Sequence, residues 1–365
     1  MHTVGIDVGG TFTDLVAIAP DGTVETRKVL TTPHDQGEGV AAALQALGGR
    51  VQRVVHGTTV ATNALLERTG AEVVLCATEG FTDLLALRRQ DRASLYDLSA
   101  HHPAPLVAPH DTIPVAERTG PEGVLRALRA GDAADVADVV ANRGPGAVAI
   151  ALLHAYAHPA HEQALAAALR ERLPAGVDVV ASSEVYPEIR EYERTATTVA
   201  EAYLRPVVRR YLERLTGRLA EIGVPAPSVM SSSGGMRPAG EAARHAASLA
   251  LSGPAGGVVG AAAVLRALGL DRALTIDIGG TSADVGVILG GAPLVESGGS
   301  VAGVPIALPR VLVETVSAGG GSLLWVDDGG ALRVGPRSAG AVPGPAAFAR
   351  GGALATLTDA HVVLG

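Results

Sequence analysis

Two short segments of this chain combine an aspartate, a pair of glycines, a threonine and a second aspartate, residue types that together can hold phosphate and a metal ion. The first segment is Asp7-Val-Gly-Gly-Thr-Phe-Thr-Asp14, and the second is Asp277-Ile-Gly-Gly-Thr-Ser-Ala-Asp284. Glycine lets the backbone approach a ligand closely, so successive N–H groups form a concave anion site. A neighbouring carboxylate can hold Mg²⁺ through water, since Mg²⁺ dehydrates reluctantly.

The candidate site residues follow from these roles. The candidates for catalysis are Asp7, Asp277, Asp14 and Asp284. Asp7 and Asp277 could hold Mg²⁺ through water, whereas Asp14 and Asp284 could aid the metal or orient a water molecule. An aspartate at this position can also have a purely structural role, as a carboxylate that caps its own turn. The candidates for binding phosphate oxygens are Gly9, Gly10, Thr11, Thr13, Gly279, Gly280 and Thr281.

The two segments are copies of one unit at an offset of 270 residues. Six of the nine positions in 6–14 are identical in 276–284, and apolar strand patterns flank both copies. A repeat of this kind indicates repeated structural units. We therefore expect two related α/β halves, each opening with a strand–Gly-Gly–strand hairpin. Two such hairpins facing one another would grip a triphosphate from both sides, as phosphoryl transfer requires.

The elements that must position the hairpins alternate between helix and strand. Helical periodicity predicts helices over 35–47, 60–68, 161–172, 191–222 and 254–268, the fourth of them broken or kinked near Pro206. Apolar runs predict strands over 51–56, 73–77, 147–153, 177–181 and 229–233. Residues 88–122 are rich in His, Pro and charge and predict an irregular surface excursion.

Composition narrows the class of protein. Apolar residues make up 47% of the chain and aromatic residues only 3%, which favours helices packed closely on β-branched strands. The formal charge is −8 with no basic run, so nucleic-acid binding is disfavoured. The single Cys76 cannot form an intrachain disulfide. Without a signal peptide or an apolar run long enough for a bilayer, the sequence predicts a cytoplasmic protein with no membrane partner.

A third motif, His56-Gly-Thr-Thr59, follows a predicted strand and opens a predicted helix that contains Asn63. A turn at a helix start presents free N–H groups, so His56, Thr58, Thr59 and Asn63 could line a substrate cleft. An ordinary helix N-cap explains the same pattern, and both interpretations stay open. The glycine-rich segment 317–322 could likewise offer donors to a ligand or form a plain surface loop.

Two other groups of polar residues receive structural interpretations. Arg190, Glu191, Glu193 and Arg194 predict a solvated or ion-paired helix start. The histidines have no Cys or carboxylate partner at recognised zinc spacing, so the sequence predicts no structural metal.

Taken together, these motifs resemble a known family. The paired hairpins are similar to the two phosphate motifs of the actin/hexokinase/Hsp70 ATPase superfamily, whose halves are ribonuclease-H-like domains. The motifs at 56–67, 188–197, 252–257, 317–322 and 334–345 closely resemble those of hydantoinase A and the corresponding half of 5-oxoprolinases. This resemblance covers essentially the whole chain, with the motifs in the right order.

The resemblance implies an α/β fold with two ribonuclease-H-like halves. The first would span 1–228 with an inserted surface region at about 88–122, and the second would begin at 229 and be incomplete at 365. The implied cofactors are ATP and Mg²⁺. The implied activity is hydrolysis of a small cyclic amide, such as a hydantoin, 5-oxoproline or a related lactam, after transfer of the γ-phosphoryl group to the amide oxygen. The implied partner is a hydantoinase B-type subunit, and a homo-oligomer is possible.

Two alternatives stay open. One is the ATP-using subunit of a carboxylase for a ketone such as acetone or acetophenone, which would also need bicarbonate. The other is a non-catalytic fragment or a nucleotide-dependent regulatory protein. The family closes its nucleotide site with a late Gly-Gly segment well beyond the Thr358-Asp-Ala360 motif. Since the chain ends at Gly365, we expect either a truncated product or a partner that supplies the missing piece.

Overall fold

The computed structural model describes residues 1–8, 12–30, 36–47, 50–316, 318–340 and 342–365. Its first elements form strands and short helices in close succession: β1 (His2–Val8), β2 (Phe12–Ile18), β3 (Val24–Leu30), α1 (Gln36–Gln45), β4 (Val51–Thr58), α2 (Val60–Leu66), β5 (Val73–Thr78) and α3 (Leu84–Leu87). A second group ends in the longest helix: β6 (Thr112–Val115), β7 (Arg118–Gly120), β8 (Gly123–Arg126), α4 (Ala130–Arg143), β9 (Ala147–Ala151), α5 (Ala160–Arg172), β10 (Asp178–Ala181), α6 (Ser182–Val185) and α7 (Glu191–Glu221).

The remaining elements lie between residues 228 and 364. They are β11 (Ser228–Met230), β12 (Met236–Pro238), α8 (Ala239–Ala242), α9 (Ser252–Ala267), β13 (Ala273–Ile278), β14 (Ala283–Leu289), β15 (Ala292–Pro293), β16 (Val295–Ser297), β17 (Ser300–Val301), β18 (Val304–Pro305), β19 (Pro309–Val311), β20 (Val313–Val316), β21 (Ser322–Val326), β22 (Leu332–Ser338) and α10 (Leu357–Leu364). Short 3₁₀ helices cover Pro109–Asp111, Ala246–Leu249 and Ala346–Phe348.

The contacts divide the chain into two compact units. The first comprises 1–231, 235–252 and 297–309, and the second comprises 232–234, 253–296 and 310–365. These units interleave along the chain, so they do not follow a single cut at residue 228. The boundary at residue 228 between two halves therefore stays a prediction.

The first unit contains a mixed sheet in the order β12-β11-β4-β1-β2-β3. β1, β2 and β3 form an antiparallel meander, whereas β4 pairs parallel to β1 and β11 pairs parallel to β4. Alternation along β1 buries Val4, Ile6 and Val8 on the face that joins the main core. The opposite pleat leaves Asp7 exposed, because successive side chains of a strand point to opposite faces.

A second sheet of the first unit is entirely parallel, in the order β10-β9-β5-β6. α7 packs against β9 and β10 of this sheet and also against α1 and α2. It continues through Pro206 as one helix of 31 residues, so the helix is not broken there, and the alternative of a kink near Pro206 stays a prediction. The predicted excursion over 88–122 is wrong in one part, because β6 is a largely buried strand within this sheet.

The second unit contains a smaller sheet built on the second copy of the repeat. β13, β14 and β15 form an antiparallel meander, and β20 pairs antiparallel with residues 283–286 of β14, on the edge opposite β13. α9 packs on this sheet through Ala255, Val258 and Ala262, which share a small core with Ile288. Among the described residues, no helix combines the length and apolar character needed to cross a membrane.

Candidate functional site

The first hairpin brings two of the predicted aspartates face to face. In the β1–β2 pair, Asp7 lies directly opposite Asp14, and Val8 lies opposite Thr13. Thr13 is fully buried, so its side chain is part of the hairpin's support and does not reach a ligand in solution. The predicted phosphate-binding residues Gly9, Gly10 and Thr11 lie outside the described residues.

The second hairpin reproduces this register at the same offset. Asp277 lies opposite Asp284, and Ile278 lies opposite Ala283. Because the turn geometry fixes which residues pair, the sequence repeat is also a structural repeat of the hairpin.

The turn of the second hairpin is described, and its backbone is open toward solvent. The Gly279 N–H donates to the Ser282 carbonyl at 2.9 Å, which closes the turn. No described group accepts a hydrogen bond from the N–H of Gly280 or Thr281, and both residues are exposed. Neighbouring free N–H groups of this kind suit the oxygens of a phosphate group.

The outgoing aspartates have different neighbours in the two hairpins. The Lys28 ammonium donates to both carboxylate oxygens of Asp14, at 2.8 and 2.9 Å. The Thr315 hydroxyl donates to Asp284 at 2.6 Å. Asp14 is therefore paired with a cation on the adjacent strand, whereas the described hydrogen-bond partner of Asp284 is the neutral hydroxyl of Thr315.

A cavity of about 290 Å³ lies beside the second hairpin. Asp277 and Asp284 both line it, and the facing wall is formed by small residues of α9, including Gly257 and Ala261. The 252–257 motif forms the first turns of α9, which begins at Ser252 and not at the predicted residue 254. Two carboxylates on an open cavity next to free backbone amides form a chemically suitable place for a hydrated cation and a phosphate.

A strip of three glycines supports this turn, a role that the sequence alone did not reveal. The N–H groups of Gly320 and Gly321 donate to the carbonyls of Gly279 and Gly280, at 2.9 and 2.6 Å. A Cβ atom added to Gly319 would lie 2.7 Å from backbone atoms of the turn. Only glycine fits at this distance, so the strip holds the turn from one side. The amides of Gly320 and Gly321 are thus engaged, and Ser317 lies outside the described residues.

Gly57 has a comparable role beside the first hairpin. The parallel β1–β4 pairing places Gly57 next to Asp7. A Cβ atom at residue 57 would lie 2.9 Å from the Asp7 Oδ1 atom. The missing side chain therefore leaves the space that the Asp7 carboxylate occupies. In the sequence, Gly57 was assigned only to a turn. Its position inside β4 is the signal that could have revealed this role, because a glycine within a strand often marks a close approach.

His56 does not line a cleft, contrary to one of the two interpretations of its motif. Its side chain is fully buried, and its Nε2 atom shares a hydrogen bond of 2.7 Å with the Tyr211 hydroxyl of α7. Burial lowers the pKa of His56 to about 4, so the ring is neutral near pH 7. We assign it a structural role in joining β4 to α7.

Thr58, Thr59 and Asn63 form the junction between β4 and α2. The Thr58 hydroxyl is buried and accepts from the Val60 N–H at 3.2 Å. The Thr59 hydroxyl donates to the Val8 carbonyl and accepts from the Asn63 amide, each at 3.4 Å. These bonds fix the start of α2 beside the end of β1. Thr59 and Asn63 are only partly buried, so they remain candidates for substrate contact.

Arg194 differs most from its predicted role. It is only 2% exposed, and its guanidinium donates to the carbonyls of Glu188 and Leu152 at 2.8 and 3.2 Å. Desolvation lowers the pKa of this buried guanidinium. Glu193 does form the expected kind of ion pair, since it accepts from Arg89 at 2.6 Å.

Known proteins with similar sequences and folds identify the class of protein to which this chain belongs. The alpha subunit of caprolactamase from Pseudomonas jessenii is 37% identical over the whole chain, which covers 54% of that protein. The crystal structure of the ATP-dependent caprolactamase from the same organism matches with a TM-score of 0.87 at 36% identity, covering 100% of this chain and 55% of that one. Nucleotide-free acetone carboxylase matches with a TM-score of 0.82 at 29% identity, over 100% and 55% of the two chains. The mixed α/β fold is thus that of caprolactamase and acetone carboxylase subunits.

The family follows from matches over nearly the whole sequence. Residues 3–173 match the hydantoinase/oxoprolinase N-terminal region, and residues 194–365 match the hydantoinase/oxoprolinase family itself. 5-oxoprolinase 1 from Arabidopsis thaliana is 36% identical over 99% of the chain, which covers 31% of that protein. The chain belongs to the hydantoinase/oxoprolinase family, as the motifs predicted. It spans between about a third and about half of the length of these relatives.

Proposed function

We propose that this chain is the ATP-binding part of an ATP-dependent enzyme that opens a small cyclic amide. The observation that carries the proposal is the pair of hairpins in one register, each with two aspartates opposite one another. The exposed amides of Gly280 and Thr281 and the adjoining cavity with Asp277 and Asp284 support phosphate and Mg²⁺ binding at the second hairpin. Caprolactamase and acetone carboxylase are both described as ATP-dependent, which supports the same cofactor here.

The proposed fold is a pair of ribonuclease-H-like halves. Three antiparallel strands followed by two parallel strands, in the order β3-β2-β1-β4-β11, support this for the first half. The second half shares the hairpin but leaves its apolar face open. Leu274, Ile276 and Ile278 are 69%, 66% and 63% exposed, whereas their counterparts in β1 are buried. We propose that further polypeptide covers this face, from the same chain or from a partner.

Each set of residues has a defined task in the proposed reaction. ATP would supply the γ-phosphoryl group that turns the amide oxygen into a leaving group. Asp7 on the first hairpin and Asp277 on the second would each serve as a carboxylate able to hold Mg²⁺ through water, and Asp284 would orient a water molecule or the metal. The free amides of Gly280 and Thr281 would neutralise charge on the phosphate oxygens, and the glycine strip at 319–321 would keep those amides in place. Asp14 would serve only after Lys28 moves away.

A specific observation also favours a second candidate, a ketone carboxylase subunit. Nucleotide-free acetone carboxylase shares the fold over the whole chain, and the gamma subunit of acetophenone carboxylase from Aromatoleum aromaticum is 33% identical.

Several relatives are named as subunits, which supports a second, hydantoinase B-type subunit as partner. A non-catalytic or regulatory role would be indicated if ATP binds but no substrate stimulates its hydrolysis.

Calorimetric titration of Mg·ATP into the chain tests the proposal. Asp7→Ala and Asp277→Ala should each abolish binding. Asp271→Ala is the matched control, because Asp271 is an exposed aspartate just before β13 that lines neither hairpin. No binding by the folded wild-type chain would overturn the claim that these residues form an ATP site on their own. Given binding, ATP hydrolysis is then measured with lactams and hydantoins, and with acetone plus bicarbonate, to separate the two candidate reactions.

A further inference from the structure

A small cavity in the first unit is lined by one charged side chain in otherwise largely apolar surroundings. Its volume is about 30 Å³, room for one small head group but not for a ring. The walls come from α3, the first turns of α7, the loop at 103–106 and strand β18; they include Leu85, Pro103, Val199 and Pro305. The charged side chain is Arg88, which follows α3 directly.

The Arg88 guanidinium is held by two hydrogen bonds, and no carboxylate forms an ion pair with it in the part of the chain that the structure describes. Its Nε donates to the Tyr192 hydroxyl at 2.9 Å, and its Nη2 donates to the Gly303 carbonyl at 3.3 Å. The Nη1 atom is buried and has no acceptor among the described residues. The next residue provides a contrast, because Arg89 has a carboxylate partner in Glu193 at 2.6 Å. A buried donor without an acceptor is costly, and more so on a charged group.

The backbone at Arg88 adds a second, independent observation. Its φ of 55° and ψ of −130° lie in a region that residues with a side chain rarely adopt. Such strain persists where the surroundings hold it, and it is concentrated at functional sites. Glycine would adopt this conformation freely, yet the chain has an arginine here. The strained backbone aims the guanidinium into the cavity.

We propose that the Arg88 cavity binds the carboxylate head group of a small ligand. A guanidinium presents paired N–H donors in a plane that matches a carboxylate, and the free Nη1 with the second hydrogen of Nη2 supplies such a pair. The apolar walls strengthen the pairing by excluding water. Pro103 in its wall is exposed to solvent, so the remainder of the ligand would extend outward on that side.

This inference rests on the proposed function and narrows its substrate class. The selected ring would be a cyclic amide that bears a carboxylate, in preference to an unsubstituted lactam. Packed elements link the cavity to the first hairpin. α2 begins beside the end of β1 and packs against β17. β17 in turn pairs with β18, which forms part of the cavity wall. Arg88 would act as a specificity-determining residue that fixes one end of the ring.

The test compares two ligands that differ only in the carboxylate, 5-oxoproline and 2-pyrrolidinone. Each is titrated calorimetrically into the 365-residue chain without ATP, and into Arg88→Gly, Arg88→Lys and Arg89→Gln variants. We expect 5-oxoproline to bind the wild type about ten- to a hundredfold more tightly than Arg88→Gly, with Arg88→Lys in between. Arg89→Gln should bind as the wild type does. Arg88→Gly relieves the backbone strain, so its thermal midpoint should not fall.

Three results would overturn the inference: no binding of 5-oxoproline to the wild type, equal binding to Arg88→Gly, or equal binding of 2-pyrrolidinone. Parallel titration with Mg·ATP separates this inference from the proposed function. A chain that binds Mg·ATP but not 5-oxoproline refutes the carboxylate site alone. A chain that binds 5-oxoproline but not Mg·ATP refutes the ATP site alone.

Discussion

Gly57→Ala should weaken Mg·ATP binding by moving one carboxylate while leaving the fold intact. The added Cβ would lie 2.9 Å from the Asp7 Oδ1 atom, whereas ordinary contacts of this kind begin at 3.4 Å. The difference, 3.4 − 2.9 = 0.5 Å, is the least distance by which the two atoms must separate. Asp7 is exposed, so its side chain can rotate away without disturbing β1 or β4.

The size of the effect follows from that displacement. A misplacement of about 1 Å at a reacting group can cost roughly a hundredfold, so half of it should cost about tenfold. A tenfold weaker dissociation constant corresponds to about 1.4 kcal/mol of binding free energy. The free energy of unfolding should change by less than about 1 kcal/mol, because the clash involves the end of a flexible side chain.

Calorimetry with Mg·ATP and a urea titration measure the two quantities on the same samples. The matched control is Gly5→Ala, also in this sheet, where the added Cβ would meet only the Val16 carbonyl at 4.0 Å. If Gly57→Ala folds normally and binds Mg·ATP as tightly as Gly5→Ala does, Asp7 has no part in nucleotide binding. If Gly57→Ala is strongly destabilised, the premise that the carboxylate yields before the backbone is wrong.

Three further predictions concern two buried polar residues and one glycine that packs against the second hairpin turn. Burial lowers the pKa of His56 to about 4 from its usual 6.5, so the unfolded chain takes up a proton first as the pH falls. Stability should therefore drop by about 3 kcal/mol between pH 6.5 and 4, and His56→Leu should flatten that part of the urea profile. Glu201 is buried and accepts from the N–H groups of Ala246 and Ala247 at 2.9 and 2.8 Å, so Glu201→Gln should cost about 1–3 kcal/mol in a urea titration. Gly319→Ala should destabilise the turn at 279–282 by about 1–3 kcal/mol and weaken Mg·ATP binding, because its Cβ would lie 2.7 Å from three backbone atoms.

Each of these predictions has a control in the same chain. His110 is a largely exposed histidine, so His110→Gln should retain the wild-type pH profile. Glu213 lies on the exposed side of α7, and Glu213→Gln should leave stability within about 0.5 kcal/mol. Gly260 in α9 has open space around its Cα, so Gly260→Ala should be neutral or stabilising. A control that behaves like its test variant would contradict the corresponding structural role.

The sequence predicted the elements whose signal is local and periodic. The helix predicted at 191–222 is observed as Glu191–Glu221, because strong helix formers such as Ala, Leu, Glu and Arg recur over many turns. The strand at 73–77 and the helix at 161–172 also agree within a residue or so. The strand is a short apolar run, and the helix is rich in strong helix formers. β6 was missed because a four-residue strand between proline-rich loops has no clear period, and only its pairing with β5 makes it a strand.

In the candidate site too, local features could be predicted and contacts between distant residues could not. The register that sets Asp277 opposite Asp284 could be predicted, because a repeated turn repeats its pairing. The burial of His56 against Tyr211 could not, since these residues are 155 positions apart in sequence. The close approach of Gly319 to Gly279 likewise depends on distant strands meeting, and no local pattern records it.

The open edge of β13 has a consequence for the way this chain folds. Among the described residues, β13 pairs only with β14, although its sequence is a copy of the β1 sequence. During folding, β4 therefore has two similar strand edges available for pairing. The edge of β1 is its partner in the folded structure, and the edge of β13 is the incorrect one. Loop closure over the shorter separation favours β1 by only about 1 kcal/mol. The choice must then depend on the helix that packs on β1, so we expect docking of α1 to precede productive pairing and to limit the rate of folding.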